Sequence, residues 1–292
     1  MSRTERNRGE IEVVVDGLDH PECVAVDQGG SIWAGGEAGQ LYHIDSVTGT
    51  VTLVGSTGGF ILGVTPDGDG HVWLCDLSRQ ELICMDGRTG AIVHVVSEVE
   101  GVGLTNPNYA VFDEAGNLYV SDSGHLEQRD GFVFVVRPDG QTQIIDREAN
   151  AFPNGMALSA DGRTLYIVES DRPGIRTLSL ETGESREFVS LPGICPDGVA
   201  LAENNDLFVA CYRPDAILRI TPEGFVTTYV EDPRGVTLSA PTNIAFGGPD
   251  RNELYIASLG RWHLGRLTMA VPGLALHYPV CRMGGKGERH DP

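Results

Sequence analysis

HPECVAVDQGGSIWAG, residues 20–35, is the first of six related stretches whose recurrence decides the fold. FILGVTPDGDGHVWLC follows at 60–75, NPNYAVFDEAGNLYVS at 106–121 and FPNGMALSADGRTLYIV at 152–168. CPDGVALAENNDLFVA at 195–210 and APTNIAFGGPDRNELYIA at 240–257 complete the series. Each opens on polar or small residues and runs into a short apolar strand. A Gly/Asp/Asn turn then leads to a second strand carrying an aromatic residue. Aligned, the stretches share one anchor position, held by Glu22, Leu62, Asn108, Asn154, Asp197 and Thr242, at spacings of 40, 46, 46, 43 and 45 residues. A period in the forties with strand–turn–strand content is that of a four-stranded propeller blade. Helical solenoids have similar periods but require a sustained 3.6-residue periodicity, which no segment shows.

The second half of each unit repeats too, as in GQLYHIDSVTGTVTLV from Gly39 and AILRITPEGFVTTYV from Ala216. Each half reads as strand, turn, strand, the turn marked by Thr-Gly, Asp-Gly, Glu-Gly or Pro-Gly, residues that tolerate the backbone of tight hairpins. Two hairpins per unit and six units predict one all-β domain over 1–292, a six-bladed β-propeller with four antiparallel strands per blade. The last unit, GRLTMAVPGLALHYP from Gly265, reads as another such hairpin, yet it lacks a partner for its outer edge. The strand-like EIEVVV at 10–15 is expected to pair there and close the ring, covering an edge that would otherwise invite aggregation. Residues 1–9 read as a short polar extension, and the glycine-rich, charged 284–292 as a disordered tail.

The formal net charge of −20 weighs against binding a phosphate backbone or an anionic membrane. No apolar run approaches the ~20 residues that span a bilayer. The N-terminal MSRTERNRGE lacks the apolar core of a secretory signal, so a cytoplasmic location is expected. The six cysteines form neither a C-x-x-C pair nor zinc-finger spacing with histidine, and they read as reduced thiols in or near the core.

Innermost strands line a propeller's channel, so symmetry gathers the anchors around one axis. A purely structural ring would use small or apolar anchors, as at Leu62. Glu22, Asn108, Asn154 and Asp197 instead bring two carboxylates and two amides together, which is costly if they stay unpaired. A hard divalent cation would satisfy these oxygen donors. The alternative is that they are turn residues, since Asn154–Gly155 and Asp197–Gly198 are common turn dipeptides.

At these residues the chain resembles the family of gluconolactonases, regucalcin (senescence marker protein) and luciferin-regenerating enzyme. The resemblance covers nearly the whole chain. It is carried by PDGVALAENNDLFVACY at 196–212, FPNGMALSADGRTLYIVES at 152–170 and PTNIAFGGPDRNELYIAS at 241–258, with HPECVAVD at 20–27 keeping the family's glutamate. It implies one divalent metal ion (calcium, zinc, manganese or iron(II)) held by Glu22, Asn154 and Asp197. It places Asn108 against substrate or water. Asn106 stands where sugar lactonases of the family often carry a substrate-binding arginine, and Tyr109 where the family has aspartate.

The implied function is hydrolysis of a small-molecule lactone to its hydroxy acid. The metal would polarise the carbonyl, with Asp197 as both ligand and base and Asn108 as the residue that orients substrate or water. His125 and Glu127, in the stretch 121–129, and Arg261, Trp262 and His263 after the inner hairpin of unit six are candidate substrate contacts. Each has the plain alternative of a solvated loop residue. His20 is a candidate neighbour of the metal or a structural hydrogen-bonder. Competing functions on this fold are a phosphotriesterase or arylesterase using the same metal, a non-hydrolytic relative like strictosidine synthase, and a non-enzymatic metal-binding scaffold.

Overall fold

The structure, a computed structural model, describes residues 10–280. Residues 1–9, the tail expected at 284–292, and Cys281 lie outside them. Six four-stranded antiparallel sheets form the blades of a propeller. From the axis outward, blade one takes Cys23–Val26, Ile32–Gly35, Gln40–Ile44 and Val51–Ser56, and blade two Ile61–Pro66, His71–Asp76, Glu81–Asp86 and Ile92–Val96. Blade three takes Pro107–Phe112, Leu118–Asp122, Phe132–Val136 and Thr142–Asp146, and blade four Pro153–Leu158, Thr164–Glu169, Gly174–Ser179 and Ser185–Ser190. Blade five is built from Cys195–Leu201, Leu207–Arg213, Ala216–Ile220 and Val226–Glu231. A small hairpin, Glu98–Val99 with Val102–Gly103, decorates the passage from blade two to blade three.

Blade six takes Pro241–Gly247, Glu253–Ser258 and His263–Thr268, and Glu12–Asp16 supplies its outermost strand. The ring is therefore closed by the N-terminal strand, as the sequence predicts. The outer hairpin read into 265–279 does not form. Only its first half is a strand, because Glu12–Asp16 already occupies the edge and Pro272 can donate nothing to a ladder. Residues 269–280 instead run under the propeller. Gly273 bridges Ala202 and Leu274 N bonds Leu201 O beneath blade five. The Tyr278 hydroxyl donates to Val26 O at 2.7 Å beneath blade one, and Pro279 O accepts from Gly68 N beneath blade two.

The outer turns follow from their sequences. Asp45 accepts from the backbone N–H groups of Val47 and Thr48, and Gly49 takes the positive φ of 69° that ends the turn; Asp86 and Gly90 repeat the device in blade two. The core is distributed between blade faces. Between blades two and three, for example, Trp73 packs with Phe112, Leu118 and Phe134. The five described cysteines form no disulfide among the described residues, and all are buried except the half-buried Cys195.

Candidate metal centre

Five of the six anchors sit at irregularities in their inner strands. The ladder with the neighbouring strand skips at Leu62, Asn108 and Thr242, each time over one residue. It skips two residues at Asn154–Gly155 and again at Asp197–Gly198. These are β-bulges, which re-aim a side chain out of the regular alternation. The turn reading of Asn-Gly and Asp-Gly is thereby replaced: both dipeptides lie within inner strands, and neither glycine has positive φ. The glycines serve close approach instead. A Cβ on Gly155 would lie 2.7 Å from Asp197 O, and one on Gly198 would lie 2.6 Å from Thr242 O. Bare backbone at these points lets the inner strands of blades four, five and six converge.

Glu22, Asn108, Asn154 and Asp197 are all buried at one end of the channel. Burial drives the Glu22 carboxyl well above its ordinary range, and the nearby Asp197 carboxylate drives it further. Burial likewise raises Asp197 to about 8, partly offset by a hydrogen bond from Asn154. Two carboxylates that resist ionisation together are what a cation would relieve. Among the described residues, Asn106 Oδ1 and Asn243 Oδ1 are buried oxygens without a hydrogen-bond partner, and the Asn243 amide lies against Gly198. The donor set of two carboxylates and several amide oxygens fits a hard divalent ion.

The other expected site residues are placed as follows. Asn106 N donates to the buried Asp122, which also accepts from Thr105 N and Gly124 N and so fixes the passage into the blade-three anchor. Tyr109 points into the channel below the anchors, where burial pushes its hydroxyl up beyond any working pH. His125 is exposed and paired with Asp130 at 2.6 Å, while Glu127 N donates to Asp171 on the neighbouring loop. Arg261 donates to Gly235 O. On the same rim Arg79, Arg172 and Arg213 are tied to Glu81, Glu169 and Asp215.

Asp19, His20 and Glu37 form a second cluster whose potential ligand atoms lie within 4.8 Å of one another. Its imidazole is already satisfied: Trp262 Nε1 donates to His20 Nε2 at 2.8 Å, leaving Nδ1 to donate to Glu37 at 3.1 Å. Trp262, 59 % exposed, thus leans on the residue two before Glu22. The sequence reading overlooked Asn243, although it directly follows the Thr242 anchor. It also overlooked Asp122 and the hydroxyls of Ser121 and Ser170, whose partners are distant in sequence.

The channel beneath the anchors is apolar. Inner strands of all six blades line a cavity of ≈ 70 Å³, floored by Leu274, Leu276, His277 and Tyr278 of the C-terminal strap.

Residues 20–260 match the SMP-30/Gluconolactonase/LRE-like region family, and the chain belongs to it. Among curated proteins it is similar to a gluconolactonase of Zymomonas mobilis, 28 % identical over 204 residues, covering 61 % of this chain and 55 % of that protein. It is also similar to regucalcin of Xenopus laevis, 31 % identical over 142 residues and 46 % of each chain. The chain thus spans about half the length of these curated relatives. Its fold is shared with a calcium-binding protein, regucalcin, of Agrobacterium tumefaciens, at a TM-score of 0.79 and 18 % identity over 96 % of this chain and 100 % of that one.

Proposed function

We propose that this protein is a divalent-metal-dependent hydrolase that opens a lactone to its hydroxy acid. The observation that carries the reading is the burial of Glu22, Asn154 and Asp197 together at one end of the channel, in a family that includes gluconolactonases. Glu22, Asn154 and Asp197 would hold the ion, which supplies Lewis-acid polarisation of the lactone carbonyl. Asp197 takes a proton from water as its oxygen adds to the carbonyl carbon. The ring C–O bond then breaks, and the proton passes to the departing alkoxide. Asn108, on the adjoining blade, orients substrate or water by hydrogen bonds. Its neighbour Asn106 adds an unpartnered amide oxygen able to accept from a substrate hydroxyl.

The test is turnover of aldonolactones, aliphatic lactones and the phosphotriester paraoxon, with calcium, zinc, manganese and iron(II) each added to chelator-treated protein. Lactone opening restored by one metal supports the proposal. Turnover of paraoxon alone, or of lactones with full rate in chelator, overturns it.

A further inference from the structure

Each of the three metal-binding strands is pinned by a hydroxyl from the blade before it. Thr242 Oγ1, in blade six, donates to Glu22 O at 2.6 Å. Ser121 Oγ, in blade three, donates to Asn154 O at 2.8 Å. Ser170 Oγ, at the end of blade four's second strand, donates to Pro196 O at 2.7 Å, one residue before Asp197. Ser170 also accepts from Asn154 Nδ2 at 3.2 Å. It therefore joins the side chain of one ligand to the backbone of the next.

We propose that Thr242, Ser121 and Ser170 are positioning residues for the metal centre: interblade hydroxyls that fix the spacing and orientation of Glu22, Asn154 and Asp197 before the ion arrives. The inference rests on the metal half of the function proposed above. Three features carry it. All three hydroxyls act at a ligand or the residue beside it, on strands whose ladders are interrupted at bulges or end at the ligand. There the ladder hydrogen bonds that normally hold a strand are missing, and the hydroxyls replace them from the side. Moreover, Asn154 Nδ2 donates to Ser170 Oγ, which turns the amide so that Oδ1 is the atom left to present to a cation. Loss of Ser170 would free the amide to turn its nitrogen inward. Finally, all three bonds cross from one blade to the next, a link that the ladders within each blade do not supply.

The same kind of bond occurs away from the site and supplies a control. Thr65 Oγ1, in blade two, donates to Ala110 O in blade three at 2.8 Å, two residues past the Asn108 anchor and below the ligands. Interblade bonding as mere scaffold predicts equal consequences for all four hydroxyls. Positioning predicts that Thr65 stands apart.

The experiment titrates calcium, zinc, manganese and (without oxygen) iron(II), each alone, into chelator-treated wild type and variants by calorimetry, with thermal melts of the metal-free proteins alongside. Ser170→Ala and Thr242→Val are expected to weaken metal binding by roughly 10-fold, the low end for residues that orient ligands. Ser170→Thr and Thr242→Ser keep the hydroxyl and restore affinity, and Thr65→Val binds within about 2-fold of wild type whatever its melt shows. Ser121→Ala is the third test; should it fail to fold, the Ser170 and Thr242 pairs still decide. Variant affinities equal to wild type, or a Thr65→Val loss as large as that of Ser170→Ala, would overturn the inference while leaving the metal reading standing. A wild type that binds none of these ions overturns the metal reading and the inference with it.

Discussion

Gly155 and Gly198 show how much of the site depends on what is absent from a side chain. Alanine at Gly198 would set a methyl 2.6 Å from Thr242 O and 2.8 Å from Asn243 Cα, so backbone rather than a flexible side chain would have to give. Gly198→Ala is expected to cost about 1–3 kcal/mol by overpacking, read as a lower Tm, and to weaken metal binding as the ligands spread. Asp197→Asn is expected to abolish lactone turnover, and full activity in that variant would remove Asp197 from the role of base. The same substitution alters the pH dependence of the metal-free fold. Burial raises Asp197 from its ordinary 3.8 to about 8, so the folded state holds this proton more tightly than the unfolded chain does. Its contribution to stability is complete below the unfolded pKa and is lost as pH rises through about 8. Metal-free wild type should therefore lose Tm across that window, and Asp197→Asn should flatten the loss. At this scale the anchors were legible in the sequence because four of the six units carry a carboxylate or amide at a position that Leu62 shows can be apolar. The hydroxyl partners were not, since Thr242 and Glu22 are 220 residues apart and nothing local marks their bond.

Strands and turns were largely legible because each unit repeats its own punctuation. Six similar stretches fix the blades even where a single one is ambiguous. The bulges were not legible: Pro-Asn-Gly and Pro-Asp-Gly read equally well as turns, and only the skipped ladder shows that they stay within strands. The failed reading of the last hairpin has a similar origin. Its residues alternate well enough for a strand, but a strand arriving from residue 12 already holds the edge, and local pattern carries no information about that competition. The role of Glu12–Asp16 is testable. Deleting residues 10–16 uncovers the edge of His263–Thr268 and should give a broad, low melt with aggregation detected by light scattering. Glu12→Ala, which removes only the ion pair to Arg266 at 2.8 Å, should change stability by no more than about 1 kcal/mol, as expected of a surface pair. If both changes act alike, the backbone ladder is not what closes the ring.

For the molecule as a whole, the charge of −20 gives a field that repels anions and concentrates divalent cations near the buried carboxylates. Chelation should lower Tm and any divalent ion that fills the site should raise it, the stability gained being roughly 2.7 kcal/mol at a hundredfold excess over Kd. A Tm indifferent to chelator would mean that the centre is not a folding element. The strap beneath the propeller has a different consequence. By running from blade five across to blades one and two, it lays Leu274, Leu276, His277 and Tyr278 across one end of the central passage, so the approach to the anchors is from the other end. Traffic is therefore two-way through one doorway. If the protein opens lactones as proposed, a hydroxy acid formed at the anchors leaves by the mouth through which the next lactone enters, so product and substrate exclude each other. Product inhibition should then be competitive, read as a rise in KM with added hydroxy acid and no change in kcat.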